Sequence, residues 1–198
     1  MNVELKDKRK LQIMEAAQAV VVNKGYDQSR MDDIVQKSQL SKGAIYWYFN
    51  SKKDIYLSLV DHWFDRYSQG VINHLEKTDT ASGQLKVLFN YFIEQFDKNP
   101  ATFKIMVEFW RMAGLDNDFN LKLQEVYSYF LDYIMDIITY GMDNDEFKKV
   151  DPRITAFSIL VNIEGIHWFI LFNKSGVEAH DYIDTISEFI LNGLKNKN

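Results

Sequence analysis

Apolar residues recur at helical spacing along nearly the whole chain, and no window alternates with the period of two that a half-buried strand requires. Leu11, Met14, Ala17, Val20 and Val21 mark a first helix over about residues 8–23, closed by Gly25 as a C-terminal cap. Met31, Ile34 and Val35 form the apolar side of a short second helix starting at about Arg30 or Met31, with Ser29 as N-cap and Asp32 as a shortened capping box. The polar turn Lys37-Ser38-Gln39 interrupts the pattern, and Ser41 caps a third helix that opens Lys42-Gly43-Ala44-Ile45. Ser51-Lys52-Lys53-Asp54 is another capping box, opening a long fourth helix to about Leu75. After a linker over residues 78–83, Leu85, Leu88, Phe89, Phe92, Ile93 and Phe96 mark a fifth. Asn99-Pro100 and Asp151-Pro152 announce helix starts, because proline suits the first helical position. They place a sixth helix at about 101–113 and an eighth at about 152–173, with a seventh over 119–142 and a ninth over 179–194. The expectation is an all-α fold of about nine helices and no sheet.

The third helix wears its aromatics on the wrong side. Tyr46, Trp47, Tyr48 and Phe49 are consecutive and cannot share one buried face at 3.6 residues per turn. Ile45 and Phe49, four apart, point into a small three-helix core; Tyr46 and Trp47 point away, and Tyr48 can do either. Two short helices across a tight turn have the layout of a helix-turn-helix, whose second helix enters the major groove. Free N–H groups at the start of that helix, with Lys42 beside them, suit a phosphate. Gly43 costs the helix roughly 1 kcal/mol against alanine, which points to close approach of another backbone.

Over residues 8–56 these features resemble the DNA-binding domain of the TetR family of transcriptional regulators: Gly25-Tyr26, Ser29, Asp33-Ile34, Leu40 through Phe49, then Ser51-Lys52-Lys53-Asp54-Ile55. The resemblance implies DNA contacts from Arg30, Ser41, Lys42, Gly43, Tyr46, Trp47, Tyr48 and Lys52. Lys42 and Lys52 would meet phosphates, Tyr46 and Tyr48 would donate to phosphates or pack on sugars, and Trp47 would touch a base edge or thymine methyl. It also implies a palindromic double-stranded operator, repression more than activation, and a homodimer formed by the last two helices. The chain departs from the family at the turn, where Gln39 replaces glycine and must hold a left-handed backbone. Arg30 and Ser38 replace the usual threonine and alanine.

Charge supports a division into a DNA-binding domain, residues 1–54, and a ligand-binding and dimerisation domain, residues 55–198. The first holds 10 Lys/Arg against 7 Asp/Glu and the second 13 against 21. A basic head on an acidic body fits a DNA reader with a second function elsewhere. There is no cysteine, hence no disulfide framework, thiolate nucleophile or zinc–thiolate site, which fits a reducing cytoplasm. The longest apolar run, Ile166 to Phe172, is far too short to span a bilayer, so no membrane partner is expected. No Gly-x-Ser-x-Gly, phosphate-cradling glycine loop or Cys/His dyad appears, so no catalysis and no cofactor are expected. Glu164-x-x-His167 lacks the second such pair of a di-iron site, and residues 143–146 lack the glycine and final glutamate of an EF-hand and read as a solvated loop.

In the body, aromatic and methionine residues are dense enough to line a pocket for a flat or lipophilic molecule, though such residues also simply form cores. The candidate effector set is Phe92, Phe103, Glu108, Trp110, Tyr127, Phe130, Glu164 and Trp168, with Glu108 and Glu164 facing a cavity and favouring a lipophilic cation or a donor-bearing aromatic. The eighth and ninth helices are apolar beyond what one monomer covers, which favours a two-fold four-helix interface. The alternative functions are a helical small-molecule carrier and a protein-interaction adaptor; neither accounts for an exposed Trp47 beside Gly43 and Lys42.

Overall fold

The computed structural model describes residues 3–75, 78–98, 100–171 and 176–196. Its helices are α1 (Val3–Gln28), α2 (Met31–Ser38), α3 (Lys42–Tyr48), α4 (Lys52–Leu75), α5 (Ala81–Lys98), α6 (Pro100–Ala113), α7 (Asn117–Asp143), α8 (Pro152–Glu164), α9 (Trp168–Leu171) and α10 (Ala179–Leu194). A single 3-10 turn, Gly165–His167, separates α8 from α9. Counting α8 and α9 as one interrupted helix, the described residues form nine helices and no strand, as predicted.

Two compact units share these helices. One comprises Met1–Arg66 with Lys104–Leu123, the other Tyr67–Phe103 with Gln124–Asn198, so α4, α6 and α7 each contribute to both.

In the first unit, Ile13, Ala17, Ile34, Ile45, Ile55, Tyr56, Phe109 and Phe119 are fully buried. The Tyr56 hydroxyl donates to the carbonyl of Ala17 at 3.1 Å and to Ser29 Oγ at 3.3 Å, so this polar tip in the core is satisfied. α1 starts at Val3, a turn and more before the expected residue 8. Its helical geometry breaks where expected, at Gly25 with φ 73°. Ser29 does not cap α2: it is buried and its hydroxyl donates to the carbonyl of Tyr26 at 2.7 Å. The cap falls to Arg30, whose N–H donates to Asp33 Oδ2 at 2.9 Å. Gln39 adopts the left-handed conformation, φ 58° and ψ 26°, that the turn requires.

In the second unit, Leu85, Leu88, Phe89, Ile134, Ile138, Phe147, Ile159, Ile163 and Ile183 form the core, and α10 packs on α5 and α8. Asp151 caps α8 as expected, its Oδ1 accepting the N–H of Ile154 at 2.9 Å. The Asn99 cap expected for α6 lies outside the described residues. The eighth helix was expected to be continuous. Instead the Tyr182 hydroxyl of α10 donates to the carbonyl of Asn162 at 3.2 Å, and close by the ladder tightens into the 3-10 turn. A Cβ on Gly165 would lie 2.8 Å from that hydroxyl, so the glycine leaves room for the ring in this position. The acidic loop is also not simply solvated. The Glu146 carboxylate accepts the N–H groups of Ala81 and Ser82, each at 2.8 Å, capping α5 where its dipole favours an anion. Phe147 beside it is buried against Gly141.

Candidate nucleic-acid interface and effector region

α3 is short, but its start is well specified. Ser41 Oγ accepts the N–H of Ala44 at 3.2 Å, satisfying one of the donors that a helix start leaves open. Anchored by Ile45 and Phe49 in the core, the helix turns Tyr46 (44 % exposed) and Trp47 (60 % exposed) to solvent. Tyr48 is half-buried and packs edge-on against Trp47 with ring centroids 4.6 Å apart. Arg30, Ser41, Lys42 and Gly43 are all exposed. Lys42 Nζ lies 2.8 Å from Asp32 Oδ1, an open surface pair that also raises the lysine's pKa. Such a pair contributes little stability and exchanges readily for a phosphate. A Cβ added to Gly43 would meet nothing within 4 Å. The fold of this chain does not demand that glycine.

Lys52 departs from the expected arrangement. Its ammonium donates to the carbonyls of Tyr26 at 2.7 Å and Ser29 at 2.9 Å and sits 4.0 Å from the centroid of the Tyr26 ring. Burial lowers its pKa. This lysine ties α4 to the α1–α2 connection and is not poised for phosphate.

The effector candidates divide between the units. Glu108 and Trp110 belong to the first. Glu108 does not face an effector cavity: its Oε1 accepts the N–H of Tyr26 at 2.6 Å, and both oxygens pair with Arg111 at 2.9 and 3.0 Å. Burial works against ionisation there, yet the guanidinium and the Tyr26 N–H hold the carboxyl below its ordinary pKa. Arg111 also reaches Asp27 at 2.9 Å. Trp168 is no wall of a closed pocket either; at 62 % exposure it joins Ile154, Phe157 and Val161 on one outer stripe, near-heptad spacing along the α8–α9 rod. Phe189 of α10 is exposed as well.

The remaining candidates meet in the second unit. Phe92 stacks on Tyr67 at 5.9 Å and meets Phe130 edge-on at 6.1 Å, while Phe103 contacts Phe96 at 5.3 Å and the ring of His167 at 5.3 Å. Tyr127 hydrogen-bonds the Glu164 side chain. His167 Nδ1 lies 3.2 Å from Glu164 Oε2, but it also lies 2.7 Å from the main-chain oxygen of Glu164, to which it donates. Burial pushes the Glu164 carboxyl up to about 8 and the His167 imidazole down to about 4. Both are neutral at pH 7, so the contact is not a salt bridge. Glu164 Oε2 is shut off from solvent and makes no hydrogen bond. Sequence reasoning missed His167 and Tyr67 as members of this cluster; the helical spacing of Glu164 and His167 was the signal for the first.

No group of three His, Cys, Asp or Glu side chains among the described residues is placed to hold a metal ion, and no helix there is long and apolar enough to cross a membrane.

Residues 13–59 match the family described as bacterial regulatory proteins, tetR family. The chain is 27 % identical over 164 residues to the HTH-type transcriptional regulator YfiR of Bacillus subtilis, covering 81 % of this chain and 78 % of that one. It is 24 % identical over 190 residues to the fatty acid metabolism regulator protein of the same organism, covering 94 % and 96 %. Its fold matches the crystal structure of the B. subtilis regulator FadR in complex with stearoyl-CoA with a TM-score of 0.83 at 21 % identity, over 92 % of this chain and 98 % of that one. With its capped, aromatic third helix, the chain carries a DNA-binding domain of the TetR family over residues 13–59 and is a DNA-binding transcriptional regulator.

Proposed function

We propose that this chain is a repressor that binds a palindromic operator as a homodimer and releases it when a molecule with a long apolar chain, of the fatty-acyl class, occupies the second unit. The observation that carries the DNA half is the split of α3, with Ile45 and Phe49 buried and Trp47, Tyr46, Lys42 and Gly43 outside. Arg30, Ser41 and Tyr48 complete that surface. The effector class is supported by the relative named a fatty acid metabolism regulator and by the stearoyl-CoA complex of the FadR neighbour. Within the chain, the aromatic cluster of Phe92, Phe103 and Phe130 supplies apolar surface. A proton-bearing Glu164 beside Tyr127 offers a polar point without charge, which suits an uncharged carbonyl better than the lipophilic cation expected from the sequence. The exposed stripe of Ile154, Phe157, Val161 and Trp168, with Phe189, supports a dimer through the last helices.

A labelled duplex from the DNA just upstream of the coding region, beside a shuffled duplex, tests the reading. Salt-sensitive binding of the first, with Lys42→Ala weakening every sequence and Trp47→Ala weakening mainly the specific one, is expected. Addition of a long-chain acyl-CoA should release the duplex. Equal, salt-insensitive binding of both duplexes would overturn the operator, and release by a choline-type cation but not by acyl-CoA would overturn the effector class.

A further inference from the structure

The buried stripe of α1 does not end where the core ends. Ile13 and Ala17 are fully buried, and stepping back along the same face by helical spacing gives Lys10 and Lys6. Their ammonium groups lie over aromatic rings of the α3 segment, Lys10 Nζ 5.9 Å from the centroid of Phe49 and Lys6 Nζ 5.9 Å from that of Trp47. The two charges therefore stand in a row beside the C-terminal end of α3, Lys6 next to the exposed Trp47 and Lys10 next to the buried C-cap Phe49. Asp7, the nearest acid in sequence, is displaced about 100° round the helix.

Four other lysines of this unit are neutralised. Lys24, Lys42, Lys53 and Lys122 are each paired with an aspartate. Lys6 and Lys10 form no ion pair among the described residues, and their ring contacts, 5.9 Å from the centroids, leave both charges unneutralised. We infer that the first turns of α1 are a second DNA-contacting element, in which Lys6 and Lys10 bind backbone phosphates flanking the groove that α3 enters. This deepens the DNA-binding reading and rests on it. In effect it supplies the flanking phosphate contact that Lys52, committed to two carbonyls, cannot make.

The test compares the full-length protein with K6Q/K10Q, K6R/K10R and K148Q/K149Q, measuring affinity for the upstream duplex and for a random-sequence duplex across a salt series. Each phosphate contact contributes about 0.9 to the slope of log affinity against log salt. The K6Q/K10Q slope should become shallower by about 1.8 for each copy bound, on both duplexes. K6R/K10R, which keeps the charges, should retain the wild-type slope, and so should K148Q/K149Q, which removes the same charge from the second unit. A K6Q/K10Q slope equal to wild type, or an equal loss in K148Q/K149Q, overturns the inference while leaving DNA binding standing. Absence of any salt-dependent binding by the wild type would overturn DNA binding itself.

Discussion

Glu108 and Tyr26 are joined by a 2.6 Å hydrogen bond from the Tyr26 N–H to the Glu108 carboxylate, across eighty-two residues of sequence. Tyr26 is also the residue whose carbonyl receives Lys52 and whose ring packs edge-on against Tyr56 and Phe119. The α1–α2 connection is thus held from α4, α6 and α7 together. Glu108→Ala leaves the Tyr26 N–H without its acceptor and Arg111 with only Asp27, and should cost about 1–3 kcal/mol in urea denaturation. Glu108→Gln keeps an acceptor and should cost less. Effector affinity should be unchanged in both, and its loss would return Glu108 to the effector site.

Gly43 separates folding from function. Its added Cβ would meet nothing in the free protein, so Gly43→Ala should stabilise the chain by up to about 1 kcal/mol through helix propensity. The same methyl would stand where a DNA backbone is expected, so operator affinity should fall by tenfold or more. Unchanged affinity in a stabilised variant would show that DNA keeps its distance there.

Glu164 should make stability depend on pH. An ordinary glutamic acid, with a pKa of 4.5, loses its proton well before this one at about 8. Between those values the unfolded chain has released the proton and the folded chain still holds it, so stability falls as pH rises through that window. His167, lowered from 6.5 to about 4, acts in the opposite sense, and its stability is lost as pH falls through that range. Glu164→Gln remains neutral, so its urea midpoint should stay level from about pH 6 to 8 while that of the wild type declines. Parallel declines would show that another group is responsible.

The outer stripe predicts the assembly. Phe157→Glu or Phe189→Glu places a charge on an exposed apolar face that the monomer leaves uncovered, so the folded monomer should survive with its circular dichroism intact. Sedimentation should then show half the wild-type mass, and operator affinity should drop because two half-sites no longer bind together. A dimer of undiminished stability would place the interface elsewhere.

How much of this was legible in the sequence depends on the reach of each interaction. Helix positions, the Ser41 and Asp151 caps, the left-handed Gln39 and the division of α3 into buried and exposed sides are set by neighbours three or four residues away. A linear pattern carries such information in full, because helical geometry converts spacing directly into direction. Ser29, Lys52, Glu108 and Glu146 were misread for the opposite reason. Each looked like a cap, a phosphate ligand, a cavity carboxylate or a solvated acid, and each was claimed by the nearest unsatisfied main-chain group that folding delivered. Glu146 and Ala81 are sixty-five residues apart, and no spacing rule connects them. The sequence by itself determined the order of the helices and the buried and exposed sides of α3, and it carried the family resemblance. Which polar side chains remained free to meet DNA or an effector was decided only in three dimensions, because burying a backbone N–H or carbonyl unpaired costs more than diverting a side chain to meet it.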